Sequence, residues 1–346
     1  MGCPMSKRYA CALYLSFLTL PALAQTTPEP EPAPTAQPAD IAADAVPVTV
    51  VVEGRRPGPG VWKVSKGDHV MWVFGLYSPL PQKMEWDAAR VERLVGKSQE
   101  VLMLPGARME VGFFRGLTLL PTAIGIDKNP DGATLHDVLP ADVYARWQVL
   151  KDKYIGENDG IERRRPIFVA DTLLSAGIAK SGLTQNTGVA AQIEKAAKRD
   201  KVKLTSTTLD MEVDDPRALM KEFKKSQMED VACFTKTLER LEGDIDAMRV
   251  RANAWANGNI AEISSLDYAE RDKACNDAIF NSQFAKQSPA LQHLPERMRA
   301  NWMKVAEKAL ADNTSTFALL PMKSVIGPHS YLADLEAKGY TVESPK

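Results

Sequence analysis

The sequence predicts an α/β (α+β) fold: a central mixed sheet formed by two pseudo-symmetric βαβ-like halves, with a large helical insertion between them at about residues 140–312. Two observations predict it. First, the chain carries the same unit near each end. The apolar run Val70-Met71-Trp72-Val73 reads as a short buried strand, followed by the loop Phe74-Gly75-Leu76-Tyr77-Ser78-Pro79-Leu80-Pro81, a helical pattern and the strand-like Glu100-Val101-Leu102-Met103-Leu104. Thr316-Phe317-Ala318-Leu319 opens the second unit, followed by the loop Leu320-Pro321-Met322-Lys323-Ser324-Val325-Ile326-Gly327, a helical pattern and Tyr340-Thr341-Val342-Glu343. Loops at the carboxyl ends of parallel strands gather where α/β sheets bind ligands. Second, the stretch between the units has helical periodicity.

In chain order, Lys7 and Arg8, the apolar run Tyr9 to Leu20 and Ala22-Leu23-Ala24 have the order of a secretory signal, residues 1–24, cut after Ala24. Residues 25–46 are a Pro-rich tether that cannot build a core. Residues 47–346 form the globular domain. Val48 to Val52 and Val61 to Val64 read as strands separated by the turn-rich Pro57-Gly58-Pro59-Gly60. Glu85 to Val95 reads as a helix with Ala88, Val91 and Leu94 on one face, and residues 106–135 read as irregular. From Pro140 to about Arg199 the pattern is helical, with Val143, Trp147 and Leu150 as one stripe and Ile167 to Ala179 as another. Asp214-Asp215-Pro216 is a helix start, an acidic cap before a proline at the first helical position.

Val231, Phe234, Leu238, Leu241, Ile245, Met248, Ala252 and Trp255 then recur at spacings of three and four, a heptad seam ending near the terminator Gly258. The seam can form a dimer coiled coil. Packing within one chain is favoured, because the helical region Ile260 to Phe284 follows almost at once. Cys3 and Cys11 leave with the signal, so Cys233 and Cys275 remain in an oxidising compartment. An even pair there reads as a disulfide closing a helical hairpin, the alternative being two separately buried thiols. The last helical pattern holds Trp302, Val305, Ala306, Ala309 and Leu310.

The two loops and the closing stretch Gly327, Leu332-Ala333-Asp334-Leu335-Glu336-Ala337-Lys338-Gly339-Tyr340-Thr341-Val342 resemble the TraB/GumN (TraB/PrgY/GumN, Tiki-like) family over roughly residues 60–346. The resemblance implies the family fold and, in active members, a metal-dependent hydrolase served by two loop histidines and an acid. Here the histidine positions hold Ser78 and Ser324, the acid position falls near Leu104, and an Arg-Asn pair falls on Arg297-Met298. The vestigial cleft is therefore Gly75, Ser78, Leu104, Arg297, Ser324 and Gly327.

A serine hydroxyl is a poor ligand for the metals that imidazole and carboxylate hold. The expectation is accordingly no metal, no cofactor and no confident catalytic residue. His69, His136 and His293 lie away from the loops by their places in the pattern, and His329 alone is near Ser324. Ser78 and Ser324 have no identifiable base, and Met84, Met103 and Met322 read as packing before soft-metal ligands. The H-E-x-x-H, C-x-x-C, G-x-S-x-G and P-loop patterns are missing.

The chain has 43 basic and 44 acidic residues. That balance gives no nucleic-acid footprint, and Arg163-Arg164-Arg165 and the Lys195–Lys203 region read as solvated helix faces. No run after the signal is long and apolar enough to span a membrane. The expected protein is a soluble periplasmic or secreted pseudoenzyme, a binding or regulatory module for an unknown small-molecule or peptide ligand. Its alternative is a peptidase-type hydrolase with a non-standard site.

Overall fold

The computed structural model describes residues 58–109, 113–265 and 269–345; the expected signal, the expected tether and the strand expected at Val48 to Val52 lie outside them. β1 (Val61–Lys66) and β2 (His69–Leu76) come first among the described residues, as a hairpin turned by Gly67 and Asp68. Gly67 has φ +63°, a conformation a side chain would oppose. β3 (Leu80–Pro81), α1 (Ala89–Gly96), β4 (Glu100–Leu102), β5 (Gly106–Met109) and α2 (Phe113–Ala123) follow. α1 begins later than the Glu85 expectation because the Asp87 carboxylate accepts from Ala89 N at 2.9 Å, a local bond that competes with the helix. β5 and α2 occupy the stretch read as irregular, where apolar residues without a clear period concealed them.

The middle of the chain runs through α3 (Leu135–Val138), α4 (Ala141–Tyr154), α5 (Pro166–Lys180), β6 (Leu183–Thr184), α6 (Val189–Arg199), β7 (Lys203–Thr205), β8 (Thr208–Met211) and α7 (Pro216–Lys225). Asp215 caps α7 as the sequence indicated, its Oδ1 accepting from Ala218 N at 3.0 Å. α8 (Val231–Gly243), α9 (Ile245–Ala256), α10 (Ile260–Ser265), α11 (Ala269–Phe280), α12 (Gln283–Gln287) and α13 (Leu294–Asp312) come next. β9 (Ser315–Pro321), α14 (Met322–Val325), α15 (Tyr331–Ala337) and β10 (Thr341–Glu343) close the fold.

Among the described residues the main sheet has six strands in the order β10-β1-β2-β9-β4-β7. β2, β9, β4 and β7 are parallel, while β1 is antiparallel to both β2 and β10, so the sheet is mixed. The two end units interlock. The crossover from β2 through α1 reaches β4 over β9, and the crossover from β9 through α15 reaches β10 over β2 and β1. Opposite travel from one central pair makes the β2/β9 junction a topological switch point. The intervening segment is mainly helical but supplies β7 to one sheet edge.

Burial follows the strand period. Phe74, Phe317 and Leu319 face one side and Met71, Val73, Ala318 and Leu320 the other, and all are buried. Both faces are therefore covered, as parallel strands require. Phe74 stacks on Trp86 and meets Trp255 on its side. A second core lies among the helices, around Trp147, Leu173, Phe234 and Leu238.

The heptad seam joins these cores. Its helix breaks at Asp244 (φ −117°, ψ 5°), so α8 and α9 point their apolar stripes differently. Phe234, Leu238, Leu241 and Met248 enter the helical core, and Ala252 and Trp255 enter the sheet core. These seam side chains are thus covered by their own chain. Arg163-Arg164-Arg165 is solvated only in part: Arg163 is exposed and Arg164 half-buried. Arg165 is buried and donates through Nη2 to the carbonyls of Phe223 and Lys224 at 2.8 and 3.0 Å, and burial pushes its guanidinium down from its ordinary value. Among the described residues no helix is long and apolar enough to cross a membrane.

Cys233 on α8 and Cys275 on α11 form a disulfide, with Cα atoms 4.4 Å apart and 42 positions between them in sequence. Closing a loop of that length in the unfolded chain is worth about 4 kcal/mol in the chain-entropy model. The double variant Cys233→Ser/Cys275→Ser is expected to lose stability of that order in non-reducing urea unfolding. An unchanged midpoint would show that the crosslink constrains nothing in the unfolded chain.

Candidate functional site

The β2/β9 register runs from Val70 opposite Ser315 to Leu76 opposite Pro321. The two expected loops therefore leave the sheet side by side. Gly75 is where they touch. A Cβ there would stand 2.9 Å from both Sδ and Cε of Met322, so a side chain would force the tip of Met322 to shift. Gly75 also presents its carbonyl oxygen to the Trp255 indole N–H at 2.7 Å, with both groups buried.

Ser78 lines a cavity of about 230 Å³, and its Oγ donates to the Gln185 carbonyl at 3.2 Å. Ser324 lines an adjoining cavity of about 850 Å³, together with Arg299, His329 and Tyr331. Both cavities are lined by Asp272 and Lys323, whose ion pair measures 2.9 Å between Oδ2 and Nζ. The serines thus belong to neighbouring loops at one sheet edge but line two cavities that share this pair.

The other expected residues are placed as follows. Leu104 packs half-buried against the sheet core and lines neither cavity. Gly327 takes φ +92° in the turn before α15, where its carbonyl accepts from Ser330 N at 3.2 Å. Arg297 donates to the Ala290 and Pro289 carbonyls at 3.0 and 3.4 Å and lines neither cavity. Arg299, two residues on, lines the larger one. It bonds Asp334 Oδ2 at 2.5 Å and the carbonyls of His329 and Ser330 at 2.7 and 3.0 Å. Asp334 holds the Arg299 guanidinium above its ordinary value, and Arg299 holds the Asp334 carboxyl below its own. Met322 is buried, with Met84 and Met103 at the margin of the same core.

The charged part of the smaller cavity comes from the disulfide-linked helices. α8 supplies Arg240, α11 supplies Arg271 and Asp272, and Lys323 follows β9. Arg271 donates from Nε to Thr237 Oγ1 at 3.0 Å, and its Nη1 lies 3.4 Å from Asp272 Oδ1. Burial pushes the Arg271 guanidinium down, with nearby Asp272 and Asp171 opposing. Burial would raise the Asp272 carboxyl, but Lys323, Arg271 and Arg240 hold it below its ordinary value. These four charges were not among the residues the sequence reading selected. A signal existed: Thr237 and Arg240 lie four and seven positions after Cys233, and Arg271 four before Cys275, so each shares a helix face with its cysteine.

The carboxylate on β4 is Glu100, at the amino end of the strand and away from both loops. It accepts from Thr205 Oγ1, Lys203 Nζ (2.8 Å) and Asn313 Nδ2 (2.8 Å). Burial opposes its ionisation, but Lys203, Thr205 and Asn313 together hold its pKa below the ordinary 4.5. Among the described residues no group of three or more His, Cys, Asp or Glu side chains is gathered to hold a metal ion. Hydroxyls at Ser78 and Ser324 and an alkyl group at Leu104 do not fit the metal that the family resemblance implies.

A model of the TraB/PrgY/gumN family matches residues 60–344. The chain belongs to that family. The match starts just before β1 and ends just after β10, so it takes in the whole main sheet as well as the intervening helices. No curated protein and no solved structure matches the chain.

Two outcomes are expected from this geometry. Trp255→Phe leaves the Gly75 carbonyl buried without its donor and should cost about 1–3 kcal/mol in equilibrium unfolding. Glu100→Gln should lower stability at pH 7 by roughly 1–2 kcal/mol, because hydrogen bonds to a buried charge weaken. A depressed folded pKa stabilises above the unfolded value and loses that effect as pH falls. The gap between the two proteins should therefore close below about pH 4 in a pH series of urea melts. A gap that widened in acid would contradict the assignment.

Proposed function

We propose that this TraB/PrgY/gumN family protein is an exported binding or regulatory module that retains the family cleft without its metal-dependent hydrolysis. One observation carries the reading. The two loops converge at the carboxyl edge of the sheet, where this family would hold its metal, yet they present Ser78 and Ser324. Metal-assisted hydrolysis commonly uses three protein ligands and an open position for water. Around Ser78 the cavity offers guanidinium, ammonium, hydroxyl and apolar groups, with Asp272 held in an ion pair. Cations and hydroxyls bind and orient a ligand but are poor ligands for the metals that imidazole and carboxylate hold. Among the described residues neither serine has a side-chain base bonded to its hydroxyl: Ser78 Oγ donates to a backbone carbonyl, and an unactivated hydroxyl is a weak nucleophile. Export rests on the order of basic, apolar and small residues in residues 1–24.

The test is elemental analysis of the purified mature chain together with a peptidase assay with and without chelator. The expected result is neither stoichiometric metal nor chelator-sensitive cleavage. Stoichiometric zinc or manganese with chelator-sensitive cleavage would replace this reading with a hydrolase. Ser78→His/Ser324→His should leave cleavage at background, because position 104 still lacks an acid.

A further inference from the structure

The exposed large apolar side chains among the described residues are Met109, Leu120, Ile124, Val149, Val250 and Ile279. The last three stand singly on α4, α9 and α11, as scattered surface residues ordinarily do. The first three fall in one short stretch, on β5, on α2 and just after α2. Leu120 and Ile124, about one helical turn apart, are 61% and 76% exposed. From Met109 to Ile126 the sequence has one acid, Glu110, and one base, Arg115, and is otherwise uncharged. An apolar ridge left open to water marks a contact surface.

The charge beside this ridge comes from α7, on which α2 packs. At about 100° per residue, Arg217, Lys221 and Lys224 fall on one flank of α7 and Ala218 and Glu222 on another. The basic flank is the α2 side. Arg217 Nη2 donates to the Thr118 carbonyl at 2.8 Å and Lys224 Nζ to the Ile124 carbonyl at 2.6 Å. Both acceptors are neutral, so neither charge is cancelled, and Lys221 is exposed. Among the described residues none of the three forms an ion pair. Acids and bases are about equal in number over α7 and the residues before it; what counts is how they are divided. Asp127 and Asp210 are paired with Arg164 and Arg108. Glu212, Asp214, Asp215 and Glu222, with Lys225, line a groove between α7 and α12. Salt screens charges beyond roughly 10 Å, so a partner responds to the face it meets rather than to the total.

An exposed apolar ridge bordered by cations fits the boundary of a bilayer with anionic headgroups. The apolar tips enter the acyl margin, while the long stems of Lys and Arg leave their heads among the phosphates. A second copy meeting this face about a two-fold axis would bring the cations toward their own counterparts, which disfavours it. α2 has 11 residues, about half of what a spanning helix needs, so the contact is with the surface. We propose that Leu120, Ile124 and the basic flank of α7 form the face by which this protein lies on an anionic phospholipid bilayer. The face is separate from the cavities of Ser78 and Ser324 and stands without the binding-module reading.

The test is co-sedimentation of the mature chain, disulfide intact, with vesicles of phosphatidylcholine alone and of phosphatidylcholine and phosphatidylglycerol in equal parts. The mixed vesicles should bind about tenfold more tightly or better, and less so as salt is raised. Leu120→Glu/Ile124→Glu should abolish binding with an unchanged urea midpoint, because both side chains are already exposed. Lys221→Glu should weaken binding severalfold. Should the double variant not fold, Leu120→Trp supplies the insertion test: its emission should shift to the blue on mixed vesicles. Binding to neither vesicle, equal binding to both, an unaffected double variant or an unshifted Leu120→Trp would overturn the proposal. Self-association in sedimentation velocity that Leu120→Glu/Ile124→Glu abolishes would assign the face to a second copy and overturn it as well.

Discussion

The parallel pairing of β2 with β9 is the constraint on which the rest of the structure depends. These strands come from opposite ends of the domain, so pairing them closes most of the domain into one loop. Their register sets Leu76 opposite Pro321 and brings Gly75 against Met322. A slip of one residue would reverse every side chain on a strand buried on both faces. It would also drive Met322 off the one position that has no Cβ. The Trp255 indole bond to the Gly75 carbonyl ties the helical segment to the same point. Sheet, loops and helices therefore agree on one geometry.

The helical segment does more than connect the halves. Breaking at Asp244, the α8–α9 stripe supplies apolar side chains to two cores in succession. The disulfide holds α8 against α11, and the same faces carry Arg240, Thr237, Arg271 and Asp272 toward the loops. A crosslink that constrains the unfolded chain thus also fixes where the buried charges stand. Buried cations are costly unless paired, so such a cluster depends on a rigid support.

The family match covers the whole described sheet, and the proposed change of chemistry is confined to its edge. Fold is set by many apolar contacts, each replaceable at modest cost, whereas a metal site depends on a few donors in fixed places. On the binding-module reading proposed above, Ser78, Ser324 and Leu104 stand where such donors would be, while the strands beside them remain intact. The cavity walls take their charge from Arg271, outside the loops, and from Lys323, beside Ser324 in the second loop.

Local pattern alone determined the end strands, the stripe Val143, Trp147 and Leu150, the Asp215 cap and the cysteine pairing. Each follows from backbone period, from a cap bond made within a few residues, or from there being only two cysteines beyond the expected signal segment. The two loops were legible for the same reason, since a buried strand followed by a turn and a helix is a local signal. Tertiary structure alone decided which sheet edge β7 joins, how the seam divides at Asp244 and which charges line the cavity. Arg297 and Arg299 show why. Two positions apart on one helix, they point about 200° apart, so one meets the carbonyls of Pro289 and Ala290 and the other Asp334. Which of those directions faces a ligand depends on the packing of distant elements, and that is not written in the residues beside them.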